Sequence, residues 1–301
     1  MSDQSLAPIG RTFGHYSCLR VLGASGNNAV YTALHQGTGR LVALRALTVN
    51  QANRDEALEA CQSEVARFSG YAIPNVVQIE DYGIEGSTLY IAMRVMKGGS
   101  LQDRLKSMHR KIEAGLEPIL PSPGEVLAVI ERLTEAMDSL HGHGMVHGQV
   151  EPRNILFDDS GLAYLSDVGL TRLLKIIYSL ETTNSFSTTQ YTAPEIWDGH
   201  RPIPATDQYA LACIAYELMT GKVPFEAPTI YGLMRQHADE VVLPPHYIRH
   251  GLPSDLAIPF WQAMAKNPEK RFANLRAFLE DLRLSIQGSE GTATGFFALD
   301  L

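Results

Sequence analysis

The sequence is short of the features that mark several large protein classes. Its three cysteines, Cys18, Cys61 and Cys213, are odd in number and far apart, so no disulfide framework is written into it. There is no C-x-x-C pair and no Cys/His cluster to suggest zinc, and a reducing compartment is the expectation. Positive charge is scarce as well: 25 Lys plus Arg stand against 33 Asp plus Glu, a net charge of −8. That is the wrong sign for gripping phosphate backbones, and no nucleic-acid partner is expected. Long apolar runs are missing too. Residues 1–10 lack a basic segment followed by an apolar one, and the longest apolar stretch, residues 209–219, is broken by Glu217 and too short to span a bilayer. The expectation is a cytoplasmic chain with no membrane segment of its own, or the cytoplasmic part of a longer membrane-anchored protein.

What is present is a chain of 301 residues with 45% hydrophobic residues, enough for one large or two modest domains. Short β-rich runs at 16–22, 29–34 and 40–47, separated by Gly-containing turns, predict an antiparallel meander. Helical spacing of Ala57, Leu58, Cys61, Val65 and Phe68 predicts a helix over 55–68, and two more strands are expected at 76–82 and 88–95. After Gly98 and Gly99 the pattern switches to helices at 101–109, 124–141, 205–220, 228–238, 256–265 and 275–286. Residues 110–123 read as an irregular connection and the Thr/Ser-rich residues 181–190 as a mobile loop. The fold class is therefore α+β, with a small five-stranded antiparallel lobe carrying one helix and a larger, mainly helical lobe. The expected boundaries are an N-terminal tail at 1–13, the small lobe at 14–96, the large lobe at 97–287 and a flexible tail at 288–301, in which Phe296 and Phe297 are able to dock.

Five landmarks occur in a telling order: Asp167-Val-Gly169, Tyr191-Thr-Ala-Pro-Glu195, Asp207-Gln-Tyr-Ala-Leu211, Glu217-Leu-Met-Thr-Gly-Lys-Val-Pro-Phe225 and Lys266-Asn-Pro-Glu-Lys-Arg271. With them the chain resembles a bacterial eukaryotic-like Ser/Thr protein kinase from about residue 14 to residue 286. The resemblance implies the bilobal kinase fold, and it supports fold better than activity.

Catalysis in that family rests on positioning and charge stabilisation, and each part has a counterpart here. Gly23-Ala-Ser-Gly-Asn-Asn-Ala-Val30 aligns with the phosphate-covering loop, but Ser25 and Asn28 replace two glycines; a plain hairpin turn explains the segment equally well. Arg45 replaces the strand lysine, and by alignment its partner is Glu64, so an Arg45–Glu64 ion pair is expected, with two solvated charges as the alternative. In His147-Gly-Gln-Val-Glu-Pro-Arg-Asn154, Gln149 stands for the catalytic aspartate and Glu151 for the lysine that approaches the transferred phosphate. An amide orients a hydroxyl but does not take its proton, and a carboxylate repels phosphate. Gly148 replaces the arginine that receives an activation-loop phosphate.

Other positions are kept. The resemblance places Asn154 and Asp167 as metal ligands, although Asp and Asn in loops also serve backbone donors. Gly23, Val30, Ala43, Arg45, Glu64, Met93 and Leu156 would form the nucleotide pocket, for ATP with Mg2+ or Mn2+ if any nucleotide binds. Arg94 sits where the family has Glu. Phe68, Ile79, His147 and Val168 are expected to stack as an apolar column anchored by Asp207, and Glu195 and Arg271 to form a buried ion pair. The apolar stretch from Leu173 to Tyr178 is expected to pack as a helix or to present a partner-binding face.

The losses fall on chemistry and the retained residues on scaffold. The sequence therefore points to a pseudokinase with no intact catalytic residue, a scaffold or allosteric module whose partners are proteins in a signalling complex. The alternatives are a divergent ATP-dependent transferase using Glu151 as a substitute base, and a binding domain with Arg45 or Arg94 filling the adenine pocket.

Overall fold

The computed structural model describes residues 10–25, 28–49, 54–69, 71–116, 119–169, 173, 190–287 and 296–297, leaving aside the side chains of Ser25, Phe68 and Ser69. The chain divides into two units. The smaller comprises Met1–Ala72, Val76–Lys97 and Asp167–Ser185, the larger Ile73–Asn75, Gly98–Ser166 and Phe186–Leu301.

The smaller unit is an antiparallel sheet in the order β1-β2-β3-β4-β6-β5, built from Thr12–Phe13, Tyr16–Ser25, Asn28–His35, Leu41–Thr48, Ile79–Glu85 (β5) and Thr88–Arg94 (β6). It has six strands where the sequence led us to expect five. The extra one, β1, pairs with Tyr16 and Ser17 inside what read as an N-terminal tail, and its Phe13 is fully buried. A two-residue strand is too short to leave an alternation signal. Elsewhere the period of two is plain: Val42, Leu44 and Ala46 of β4 join Tyr31, Ala33 and Phe13 in one core, so Ala43 and Arg45 belong to the opposite face. Helix α1, Arg54–Ser69, buries Ala57, Ala60, Cys61 and Glu64, one stripe at helical spacing, and packs on β5.

The larger unit is mainly helical. Helix α2, Leu101–Glu113, opens with a capping box in which the Ser100 hydroxyl accepts from the Asp103 amide and the Asp103 carboxylate accepts from the Ser100 amide. Helix α3, Pro123–Gly142, starts the same way with Ser122 and Glu125, and Pro123 supplies a preset first turn. A two-stranded sheet, β7 (Ile155–Phe157) with β8 (Ala163–Leu165), lies between α3 and the helices α4 (Pro194–Trp197) and α5 (Pro204–Thr220) in the chain. Every residue of α5 from Thr206 to Thr220 is buried, and α3 packs against it. A helix apolar on all sides is a hub with neighbours all round. Helices α6 (Ile230–Asp239), α7 (Ala257–Ala263) and α8 (Leu275–Ile286) follow, α8 packing on α3 and α7. No helix among the described residues is long and apolar enough to cross a membrane.

Two expectations fall outside the description: the loop at 181–189, and the apolar stretch after Leu173. Leu173 itself is buried and its amide donates to the Gly169 carbonyl at 3.1 Å.

Candidate functional site

In the smaller unit, strand register places five of the seven expected nucleotide-pocket residues, Gly23, Val30, Ala43, Arg45 and Met93, on one face of the sheet, whereas Glu64 lies on α1 and Leu156 on a strand of the larger unit. Gly23 pairs with Val30, Val30 with Arg45, and Ala43 with Met93. Cross-strand partners project to the same side, and Ala43 and Arg45 are two residues apart. Strands β2 and β3 run up to Ser25 and Asn28, which pair, so only residues 26–27 lie between them. That is the spacing of the plain hairpin.

Arg45 Nη2 donates to Asp167 Oδ2 at 2.6 Å, and the two side chains are only 15% and 11% exposed. This corrects the expected Arg45–Glu64 pair. Glu64, buried on α1, has Arg67 Nη1 at 3.5 Å from its Oε1, one helical turn along. A local cation thus stands beside Glu64, while the Arg45 guanidinium is engaged elsewhere. Asp167 carries φ of +62°, a left-handed conformation costly for most side chains but accessible to Asp. The charged hydrogen bond from Arg45 helps to hold it there. Arg94 is exposed, its amide donating to the Gln78 carbonyl at 3.3 Å.

In the larger unit the loop of residues 147–154 is built around Asp207 at the start of α5. The amides of His147 and Gly148 donate to its two carboxylate oxygens at 3.0 and 2.8 Å, and His141 Nε2 donates to it at 2.8 Å. His147 Nε2 donates to the Ser166 carbonyl at 2.9 Å, and its Nδ1 accepts from the Gln149 amide at 3.2 Å, which fixes the tautomer. Gly148 has φ of +72°, and a Cβ there would lie 2.9 Å from Pro202 Cγ. Glycine is what this packing accepts. The expected apolar column is described only in part, because the Phe68 side chain falls outside the described set.

Two chemistry-bearing side chains of this loop, Asn154 and Glu151, are bonded within it. Asn154, buried, donates from Nδ2 to the Gln149 carbonyl at 2.9 Å, and its own carbonyl accepts from the Ser166 amide at 2.8 Å. Gln149 is half-buried and lines a small cleft with Glu151, Tyr191, Thr192 and Thr206. Glu151 is buried and bonded by the Arg153 guanidinium two residues on. Leu156 lies half-exposed on β7 between buried Ile155 and Phe157. An amide orients a hydroxyl without taking its proton.

Asp167 and Asn154, the two positions expected to hold a metal, are each described within their own unit. Asp167 Oδ2 accepts from Arg45, so a hard dication, which favours carboxylates, would compete with a charged hydrogen bond for that oxygen. Among the described residues, no group of three or more His, Cys, Asp or Glu side chains is placed to hold a metal.

Two features escaped the sequence reading. The Glu195–Arg271 pair was expected, and both guanidinium nitrogens donate to its two oxygens at 2.8 Å; burial alone would raise the Glu195 carboxyl, but Arg271 outweighs it and holds it below its usual value. Not anticipated was Glu217 on α5, where burial pushes the carboxyl up to about 7. The Tyr191 hydroxyl donates to its Oε2 at 2.6 Å, and His109 Nε2 lies 3.4 Å from Oε1. Nor was the Glu151–Arg153 pair foreseen, although the two residues are near neighbours in sequence.

Comparison with known proteins agrees with the fold. The family model described as the protein kinase domain matches residues 16–288. The Ser/Thr-protein kinase PknD of Mycobacterium tuberculosis is 32% identical over 273 residues, which cover 90% of this chain and 40% of that protein. PknH of Mycobacterium bovis is 30% identical over 275 residues, 91% of this chain and 44% of its own length. The chain thus spans less than half the length of these relatives. Among solved structures, the PknI kinase domain of M. tuberculosis superimposes with a TM-score of 0.70 at 26% identity, covering 93% of this chain and 99% of that one. With the family model matching nearly the whole chain, the chain belongs to the protein kinase domain family.

Proposed function

We propose that this chain is a pseudokinase domain: a kinase fold that transfers phosphate little or not at all, binds ATP weakly or not at all, and acts by contact with protein partners in signalling. The observation that carries the reading is the loop of residues 147–154. Its framework around Asp207 is complete, yet position 149 offers an amide and the nearby carboxylate, Glu151, is buried and bonded to Arg153. Replacing an acid/base group of this kind costs about 10²- to 10⁴-fold in rate. The Arg45–Asp167 pair supports the weak-nucleotide half of the proposal, since a metal would have to displace a charged hydrogen bond to reach Oδ2. Glu151 as a substitute base loses ground, because its charge is neutralised by Arg153.

The test is transfer of labelled γ-phosphate from ATP to the chain itself and to a general acceptor protein, with Mg2+ or Mn2+. The proposal expects the signal of wild type and of Asp167→Ala to be the same background. Transfer by wild type that disappears in Asp167→Ala overturns it.

A further inference from the structure

The dipeptide Phe296–Phe297 sits on the larger unit at a place unrelated to the loop of residues 147–154. The Phe297 ring stacks on Phe157, centroids 5.3 Å apart and planes 27° apart, and Phe297 is only 9% exposed. The Arg104 guanidinium lies 4.4 Å from the centre of the same Phe157 ring and forks between two carbonyls: Nη1 donates to Phe296 at 2.9 Å and Nη2 to Gly98 at 3.0 Å. Gly161, with φ of +76°, leaves the space the backbone needs, for a Cβ there would stand 2.8 Å from the Phe297 carbonyl oxygen. Ring stacking, a forked cation and a missing Cβ are three separate accommodations to the same two residues.

The segment they fasten begins the stretch Gly98–Ser166 of the larger unit. The Gly98 amide donates to the Phe157 carbonyl at 2.8 Å, the Phe157 amide donates to the Gly99 carbonyl at 2.9 Å, and Ser100 forms a bridge with Leu156. Arg104 ties the Gly98 carbonyl to the Phe296 carbonyl, and Phe297 covers the ring on whose backbone Gly98 is paired. Gly98 directly follows Lys97, the last residue of the smaller unit before the crossing.

We propose that Arg104, Phe157 and Gly161 form a docking site for an aromatic pair, filled in cis by Phe296–Phe297, and that the docked pair straps residues 98–100 to β7. The planar five-donor fork suits this use, since one side chain meets two carbonyls at fixed geometry, which an ammonium does not reproduce. The strap makes the mobility of residues 98–100 depend on whether Phe296–Phe297 is docked. It stands independently of whether the domain transfers phosphate.

Amide hydrogen exchange on the full chain tests it, comparing wild type with Phe297→Ala and Arg104→Lys. The expected result is exchange about tenfold faster at the Gly98 and Phe157 amides in both variants, with the Ile214 and Leu218 amides of α5 unchanged. Equal exchange in all three proteins overturns the strap. A uniform rise that includes α5 also overturns it, making Phe297 an ordinary packing residue. Protection in wild type that is lost on dilution assigns the aromatic pair to a second copy and overturns docking in cis.

Discussion

Arg45 and Asp167 are 122 residues apart in sequence and are joined by a hydrogen bond of 2.6 Å between Nη2 and Oδ2. The residue that replaces the family's strand lysine therefore neutralises the residue that the family uses to hold metal. Arg45→Met leaves a mostly buried carboxylate without its charged donor, and the expected loss of stability is about 1–3 kcal/mol. Asp167→Asn in the same chain, which keeps a side chain tolerant of the left-handed backbone, should recover part of that loss. Urea denaturation of the two single variants and the double variant measures the coupling.

Asp207 accepts from His147, Gly148 and His141. Asp207→Ala removes three hydrogen bonds to one carboxylate and strands buried donors, an expected loss of at least about 3 kcal/mol. The same variant should speed amide exchange at His147 and Gly148 before it affects the sheet of the smaller unit.

The Glu195–Arg271 pair is buried and bidentate. Arg271→Met leaves Glu195 charged and without its fork, at an expected cost of about 3–5 kcal/mol. Because the folded Glu195 carboxyl is held below its usual value, the stabilisation is present above the ordinary carboxylate range and fades as pH falls through the lowered value. The difference in unfolding free energy between wild type and variant should shrink in acid.

Glu217 has the opposite sign. Its folded carboxyl is raised to about 7 by burial, so between the ordinary value and 7 the folded chain binds the extra proton. Its contribution is fully present below the unfolded value and is lost as pH rises through about 7. Wild type should lose stability between pH 5 and pH 8 relative to Glu217→Gln, by on the order of a few kcal/mol. Thermal unfolding at a series of pH values reads the difference directly.

Much of the fold was legible because it rests on local rules. Helix α8 falls on residues 275–286 as its apolar spacing predicts, α3 differs from expectation by one residue at each end, and α5 by one residue at its start. The Glu195–Arg271 pair was reached by resemblance, which carries over contacts that a family shares. What failed were long-range contacts that no local spacing states. The partner of Arg45 depends on the reach of an arginine where the family has a lysine, and no spacing rule encodes that reach. Tyr191 and Glu217 meet across 26 residues, between segments that each read only as landmarks. Strand β1 was missed because two residues carry no period, and Phe13 declares itself only by its burial.

The proposed competition between Arg45 and a metal for Asp167 Oδ2 is read most directly by ATP binding. Thermal unfolding of the chain with and without ATP, in Mg2+, Mn2+ or EDTA, reports binding to the folded state, since ligand at 100 times its Kd adds about 2.7 kcal/mol. The account predicts no metal-dependent shift in wild type at millimolar ATP. A rise of several degrees that needs the metal and vanishes in Asp167→Asn would contradict it.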